Sequence, residues 1–178
     1  MPRLFTGVEL PETVTDELAL MTGGVPGARW IDRENYHITL RFVGDIDDAQ
    51  AGDLADILAE TTGAQFQLFL SGMGNFGARK PRSIHAVVAA SEELSDLHAR
   101  HERACQMIGL EPEGRKFIPH VTMARLRSGV VADDVKAFLE GHSAYRSAAF
   151  TAARFVLYSA KPSTGGGPYL VEKAYDLT

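Results

Sequence analysis

The sequence predicts an α+β fold, with helices covering one face of largely antiparallel sheets. Two observations carry this expectation. Segments with two-residue apolar alternation and segments with helical spacing follow one another in mixed runs: strand, helix, strands, helix, strands, then strand–helix–strand repeated. One polar pattern, His-x-Thr-x, also occurs once in each half of the chain, both times within an alternating segment.

Residues 3–10 alternate as a first strand and run into a helix opened by Pro11, where a first turn tolerates the missing amide. Val14, Leu18 and Met21 supply that helix's apolar spacing. Gly23-Gly24-Val25-Pro26-Gly27 breaks the chain, and residues 28–32 and 36–43 read as two short strands. Asp47-Asp48 opens a second helix with Ala51, Leu54, Ile57 and Leu58 facing inward. Strands follow near 65–71 and 83–90, on either side of a glycine-rich basic loop. A third helix runs from about Ser91 to Ile108 and stops at Gly109. A strand near 118–126, a helix near 131–140 and two strands near 150–160 and 168–176 complete the chain. The loop between the last two, from Lys161 to Pro168, is a turn by composition; it lacks the lysine spacing and the following helix of a phosphate loop.

With 178 residues, 45% of them hydrophobic, the chain is long enough to bury one core. No apolar run reaches the 18 residues of a membrane span, and the N-terminal residues read as a strand rather than a signal peptide. The single cysteine, Cys105, forms no internal disulfide and suits a reducing cytoplasm, so a cytoplasmic location is expected. A net charge of −5 argues against non-specific binding along nucleic acid, which needs many neutralised phosphates. It leaves room for recognition of one phosphate or one strand end by a local cluster. Arg79, Lys80 and Arg82 form one such cluster, and Arg115, Lys116, Arg125 and Arg127 another; a solvated surface is the ordinary reading of either alone.

The two copies of the polar pattern are His37-Ile38-Thr39-Leu40 and His120-Val121-Thr122-Met123. In a strand, residues two apart share a face. Ile38, Leu40 and Phe42 are therefore expected on the core side, with His37, Thr39 and Arg41 together on the other. Val121 and Met123 point inward in the second copy, with His120 and Thr122 outward. After Met123 the alternation slips, because the next large apolar residue is Leu126. Either a bulge near Ala124 brings Arg125 and Arg127 onto the His/Thr face, or the strand ends there. Two polar edges are the bland reading of the pair; a shared cleft lined by two imidazoles and two hydroxyls is the functional one.

The functional reading is chemically coherent. An unperturbed histidine titrates near pH ~6.5, so one imidazole of a pair serves as base while the other, protonated, serves as acid. Threonine hydroxyls donate to phosphate oxygens whose charge grows in the transition state, and a nearby arginine adds a bidentate clamp. Such a set suits in-line attack on a phosphodiester with no metal and no cofactor.

Both motifs, the run from Trp30 to Gly44 and the run Pro119-His-Val-Thr-Met-Ala-Arg125 resemble the two-histidine (2H) phosphoesterase superfamily, and within it the RNA 2′,3′-cyclic phosphodiesterase (2′-5′ RNA ligase) family. The likeness extends from Arg3-Leu-Phe, through Glu113-Gly-Arg-Lys-Phe117, to Phe155-Val-Leu-Tyr-Ser159 and the Gly-Pro-Tyr stretch ending at Tyr169. The resemblance implies a bilobal, pseudo-two-fold fold with a central cleft, one two-lobed domain over residues 1–178, and metal-independent hydrolysis of RNA 2′,3′-cyclic phosphate ends to 2′-phosphomonoesters. It implies His37 and His120 as the acid–base pair, with Thr39, Thr122 and Arg125 holding the phosphate. Thr6-Gly7, Met123 and His85 depart from the common pattern. The direction of proton transfer is open at this stage; the working assignment is His120 as base and His37 as acid. The implied partner is an RNA end or nucleotide bearing a 2′,3′-cyclic phosphate, bound by a monomer without membrane or obligate protein partner.

The remaining candidates read as structural. His98 and His101 lie at i, i+3 beside Glu102, a conceivable metal pair, but solvated or interfacial helix positions fit better because no third ligand follows. His85 reads as a packed or half-exposed histidine bordering the cleft, His142 as a surface residue, and Cys105 as a small buried hydrophobe. Tyr158 and Lys161 reach the substrate or simply end a strand. The competing functions are a related two-histidine enzyme acting on another cyclic or 2′-5′ nucleotide, a non-catalytic RNA-end binding module, and, more remotely, a metallohydrolase.

Overall fold

The computed structural model describes residues 3–61, 63–161 and 167–178. Its strands are β1 (Arg3–Glu9), β2 (Ala28–Trp30), β3 (His37–Asp45), β4 (Phe66–Leu68), β5 (Leu70–Phe76), β6 (Ser83–Val88), β7 (His120–Leu126), β8 (Phe150–Ala152), β9 (Arg154–Ala160) and β10 (Tyr169–Asp176). Its α-helices are α1 (Glu12–Leu20), α2 (Asp48–Glu60), α3 (Glu92–Met107) and α4 (Ala132–Gly141). The α+β expectation holds. A 3₁₀ turn at Arg33–Asn35 and breaks at Phe69 and Ala153 are the features that alternation does not reveal. The expected turn from Lys161 to Pro168 lies mostly outside the described residues.

The main sheet runs β10-β9-β1-β3-β7-β6-β5, with β2 also on β7, while β4 and β8 pair separately. Its described pairings are antiparallel. The order is symmetric about the β3–β7 seam: β9-β1-β3 on one side answers β5-β6-β7 on the other. Helix starts are legible locally, since the Asp47 carboxylate accepts from the Gln50 amide at 2.7 Å and Ser91 Oγ from the Leu94 amide at 3.1 Å. Val14 and Leu18 of α1, Leu54 and Leu58 of α2, and Leu94, Leu97 and Cys105 of α3 are buried in one core with Ile38, Leu40, Val121 and Met123. None of the described helices is long and apolar enough to cross a membrane.

Both central strands carry a bulge at the same offset from their histidine. On β3, Thr39 faces Gly7 and Arg41 faces Thr6, so Leu40 is the extra residue. On β7, Thr122 faces His85 and Ala124 faces Ile84, so Met123 is the extra residue. The slip inferred after Met123 is therefore a bulge, and Arg125 turns outward. Arg127 falls beyond the end of β7, exposed, its amide bonded to the Gly27 carbonyl.

The bulge in β3 corrects the expectation for Arg41 and Phe42. Arg41 does not share a face with His37 and Thr39. It is 6% exposed and turned into the interior, where its guanidinium pairs with Glu102 of α3. It also donates to the Phe42 carbonyl at 2.5 Å and the Glu111 carbonyl at 2.7 Å. Phe42, expected in the core, is 46% exposed. His101 likewise differs from its expected solvated or interfacial setting: it is fully buried, with Nδ1 2.8 Å from Thr6 Oγ1. The Thr6 departure from the family pattern thus has a partner in the core.

Burial pushes the Glu102 carboxyl up, but hydrogen bonds from Arg41, the Glu113 amide and Gln106 outweigh it and hold the group below the usual carboxylate range. Glu102→Ala leaves Arg41 buried without its counter-charge, and should cost about 3 kcal/mol of folding stability. Urea denaturation followed by circular dichroism reads this directly.

Candidate active site

The seam between the halves is narrow: β3 and β7 meet at the single pair Ile38–Val121. One antiparallel step to either side sets His37 beside Thr122 and Thr39 beside His120. Beyond that the strands part, β7 continuing against β2 and its neighbour Ile31. His37, Thr39, His120, Thr122 and Arg125, the five residues picked out from sequence, line one cleft of about 710 Å³. Lys161 lines it too.

The two imidazoles are anchored alike. His37 Nδ1 donates to the Asn35 carbonyl at 2.9 Å, and His120 Nδ1 to the Ile118 carbonyl at 2.6 Å, each two residues upstream. A carbonyl only accepts, so Nδ1 carries the hydrogen and Nε2 is left to exchange a proton. Thr39 Oγ1 sits 2.9 Å from His37 Nε2.

Their surroundings differ. His37 is packed among Phe5, Tyr158 and Tyr169, with ring centroids 4.9, 5.5 and 5.0 Å away. His120 touches Phe76 at 4.8 Å and His85 at 5.0 Å. Burial pushes His37 down to about 4; the Asn35 hydrogen bond opposes this, while the nearby His120 and Arg125 reinforce it. Burial, opposed by the Ile118 hydrogen bond and aided by Arg125, also lowers His120. His85 lies beneath His120, 5% exposed and pushed down to about 4 by burial and by His120. It is a packed histidine stacked on Phe76, as expected, with its buried Nδ1 lacking a protein partner. Gly74 makes room for it: a Cβ there would come within 2.8 Å of His85 Nε2.

The cleft is cationic although the chain is acidic. Arg3, Arg41, Arg82, Arg115, Lys116, Arg125 and Lys161 line it, against one carboxylate, Glu113, among the described residues. Among the described residues, no group of three His, Cys, Asp or Glu side chains is arranged to hold a metal ion. His98 stacks on Phe117 at 3.9 Å while His101 bonds Thr6, so the conceivable metal pair is divided between two other tasks. Cys105 is buried, its thiol pushed up to about 11 by burial, in keeping with a core role. His142 lies half-buried against Phe138 and donates to that residue's carbonyl at 3.0 Å.

Sequence reasoning missed Phe42, Arg3 and the ring neighbours Phe5, Phe76 and Tyr169. For Phe42 a signal existed: applying the slip visible after Met123 to the equivalent point after Leu40 turns Phe42, not Arg41, toward the cleft. The ring neighbours come from other strands and carry no local signal.

Two mirrored half-sheets, each presenting an imidazole and a hydroxyl to a common basic cleft, define a two-histidine phosphoesterase. The family described as LigT like Phosphoesterase matches residues 8–85 and again residues 86–169, and the chain belongs to it. An RNA 2′,3′-cyclic phosphodiesterase of Geobacillus stearothermophilus is 30% identical over 161 residues, covering 86% of this chain and 51% of its own length. One from Aeropyrum pernix is 35% identical over 106 residues, covering 58% of this chain and 60% of its own. The chain thus spans between half and two thirds of the length of these curated relatives. The crystal structure of Escherichia coli LigT complexed with 3′-AMP has the same fold, with a TM-score of 0.80 at 20% identity over 100% of this chain and 99% of that one.

The desolvated imidazoles set a stability signature. His37, His85 and His101, the last pushed down to about 3 by burial and by the charges of His98 and Arg100, stay neutral where their unfolded counterparts, near pH ~6.5, take up protons. Between pH ~6.5 and the lowered values the unfolded chain binds more protons, so stability is full above that window and is lost as pH falls through it. The thermal midpoint should drop steadily from pH 7 to pH 4, and His101→Gln should flatten that slope in scanning calorimetry.

Proposed function

We propose that this protein hydrolyses RNA ends bearing a 2′,3′-cyclic phosphate to 2′-phosphomonoesters, without a metal or cofactor. The carrying observation is the mirrored pair: two histidines with Nδ1 fixed on backbone carbonyls and Nε2 left for proton exchange in one basic cleft. The names of the curated relatives support the same substrate class. The 3′-AMP bound in the E. coli structure fits a nucleotide in such a cleft.

The reaction needs one proton taken and one given. A histidine Nε2 accepts a proton from water as the oxygen attacks phosphorus in line; the P–O3′ bond breaks, and the other imidazolium gives its Nε2 proton to O3′. The 2′-phosphate remains on the strand. Thr39 and Thr122 donate to the non-bridging oxygens, and Arg125 holds the charge that accumulates there. His120 is the base in this proposal and His37 the acid. His37 is desolvated by three aromatic neighbours, which makes its imidazolium the stronger proton donor once an anionic phosphodiester lies beside it. With a 5′-hydroxyl in place of water, the same proton traffic joins two strands through a 2′-5′ linkage. Phe42, exposed on the cleft wall, offers a face for the terminal base.

A short RNA with a 2′,3′-cyclic phosphate, incubated in excess chelator, should yield a 2′-phosphate with a bell-shaped pH–rate profile. His37→Ala and His120→Ala should each lose at least about a thousandfold in kcat, and Thr39→Ala or Thr122→Ala about a hundredfold. Retained hydrolysis in either histidine variant sinks the reading. A bridging 3′-sulfur leaves without protonation, so it should restore His37→Ala but not His120→Ala; the opposite pattern reverses the acid and base.

A further inference from the structure

The strap between α3 and β7 forms one wall of the cleft, and more is built into it than support of His120 requires. Its first part is tied down from below. Arg41 donates to the Glu111 carbonyl at 2.7 Å, and the Glu102 carboxylate accepts the Glu113 amide at 2.8 Å. Its end carries the Ile118 carbonyl that anchors His120. Between these ties, Arg115, Lys116, Phe117 and Ile118 all line the cleft. Phe117 is braced by His98, the rings 3.9 Å apart and 2° from parallel. Ile118 is 47% exposed, a large apolar side chain left uncovered beside cationic ones.

We propose that Arg115–Ile118 form a subsite for the nucleotide immediately upstream of the reacting one. The preferred substrate is then an RNA strand end of two or more nucleotides rather than a mononucleotide. The inference rests on the proposed cyclic phosphodiesterase reading and adds to it. A single-stranded nucleotide offers an apolar base face and, on its linkage, one negative charge; it is held by an aromatic platform next to cations. The strap supplies both within four consecutive residues that line the cleft. The occupant follows from the substrate's chemistry: a strand ending in a cyclic phosphate has no nucleotide beyond the reacting one, so anything further along the cleft lies upstream. Arg41 is a positioning residue here, since its buried guanidinium holds the strap's backbone through the Glu111 carbonyl.

The test compares a mononucleoside 2′,3′-cyclic phosphate with a trinucleotide carrying the same end. Wild-type protein should favour the trinucleotide in kcat/KM by about tenfold or more, through KM, and Phe117→Ala should abolish most of that ratio. Lys116→Ala should reduce the salt dependence of the trinucleotide KM by about one phosphate's share. Equal losses on both substrates in Phe117→Ala, or an unchanged ratio, overturn the subsite. Should wild-type protein turn over neither substrate, the proposed reaction fails by itself. The subsite is then judged by fluorescence anisotropy with a trinucleotide and a mononucleotide ending in 2′-phosphate. Tighter trinucleotide binding that Phe117→Ala removes sustains it, and equal binding overturns it.

Discussion

The pair Ile38–Val121 is the contact on which the rest of the molecule turns. Both residues are fully buried, and each lies between a histidine and a threonine of its own strand. Because side chains alternate, sinking Ile38, Leu40, Val121 and Met123 into the core compels His37, Thr39, His120 and Thr122 to face the opposite way. The hydrophobic effect thus orients the polar quartet, with no polar contact needed across the seam. A slip of one residue in either strand would bury an imidazole and expose a core aliphatic. The register is accordingly held by many methyl groups, and the site inherits that rigidity.

The matched bulges divide the cleft into two unlike wings. At the same offset from each histidine the chain turns one residue inward and the next outward. On β7 these are Ala124 and Arg125: a small residue fits the core and a cation reaches the cleft. On β3 they are Arg41 and Phe42, so the cation is buried and the aromatic ring is exposed to the cleft. A buried guanidinium is tolerated only with its charge and donors satisfied, and Glu102 with the Phe42 and Glu111 carbonyls does this. The same contacts bind α3, β3 and the strap together. One backbone device, used twice with different residues, presents an arginine to the cleft from one strand and an aromatic ring from the other.

Most of the fold and half of the site's logic can be read from the chain. Strands and helices follow their periodicities because nearly every element has one buried face. The bulge on β7 is legible because Met123-Ala124-Arg125-Leu126 breaks alternation in plain view. The bulge on β3 is hidden within its own segment, since an arginine at an outward position and a phenylalanine at an inward one look like an unbroken strand; only the analogy with β7 exposes it. Other features are invisible for a different reason. The Thr6–His101 contact joins residues 95 apart in sequence, and the rings around His37 arrive from β1, β9 and β10. The carbonyls of Asn35 and Ile118 act through the backbone, which no side-chain pattern reports.

Pseudo-symmetry alone would give two equivalent imidazoles and no direction for a proton. The backbone is shared: each Nδ1 rests on a carbonyl two residues upstream. The walls are not. Three aromatic rings press on His37, whereas His120 has Phe76 and a second imidazole, His85. A charged His85 would oppose a proton on His120 at a ring separation of 5.0 Å; its burial keeps it neutral, so it adds a ring without adding charge. A charged His120 depresses the protonation of His37 in the same way, so one proton on the pair is favoured over two. One proton between two fixed nitrogens is the load that the proposed acid–base reaction requires; desolvation alone places it on His120, and an anionic phosphodiester beside His37 is what draws it to the more desolvated imidazole, from which it is the more readily given up.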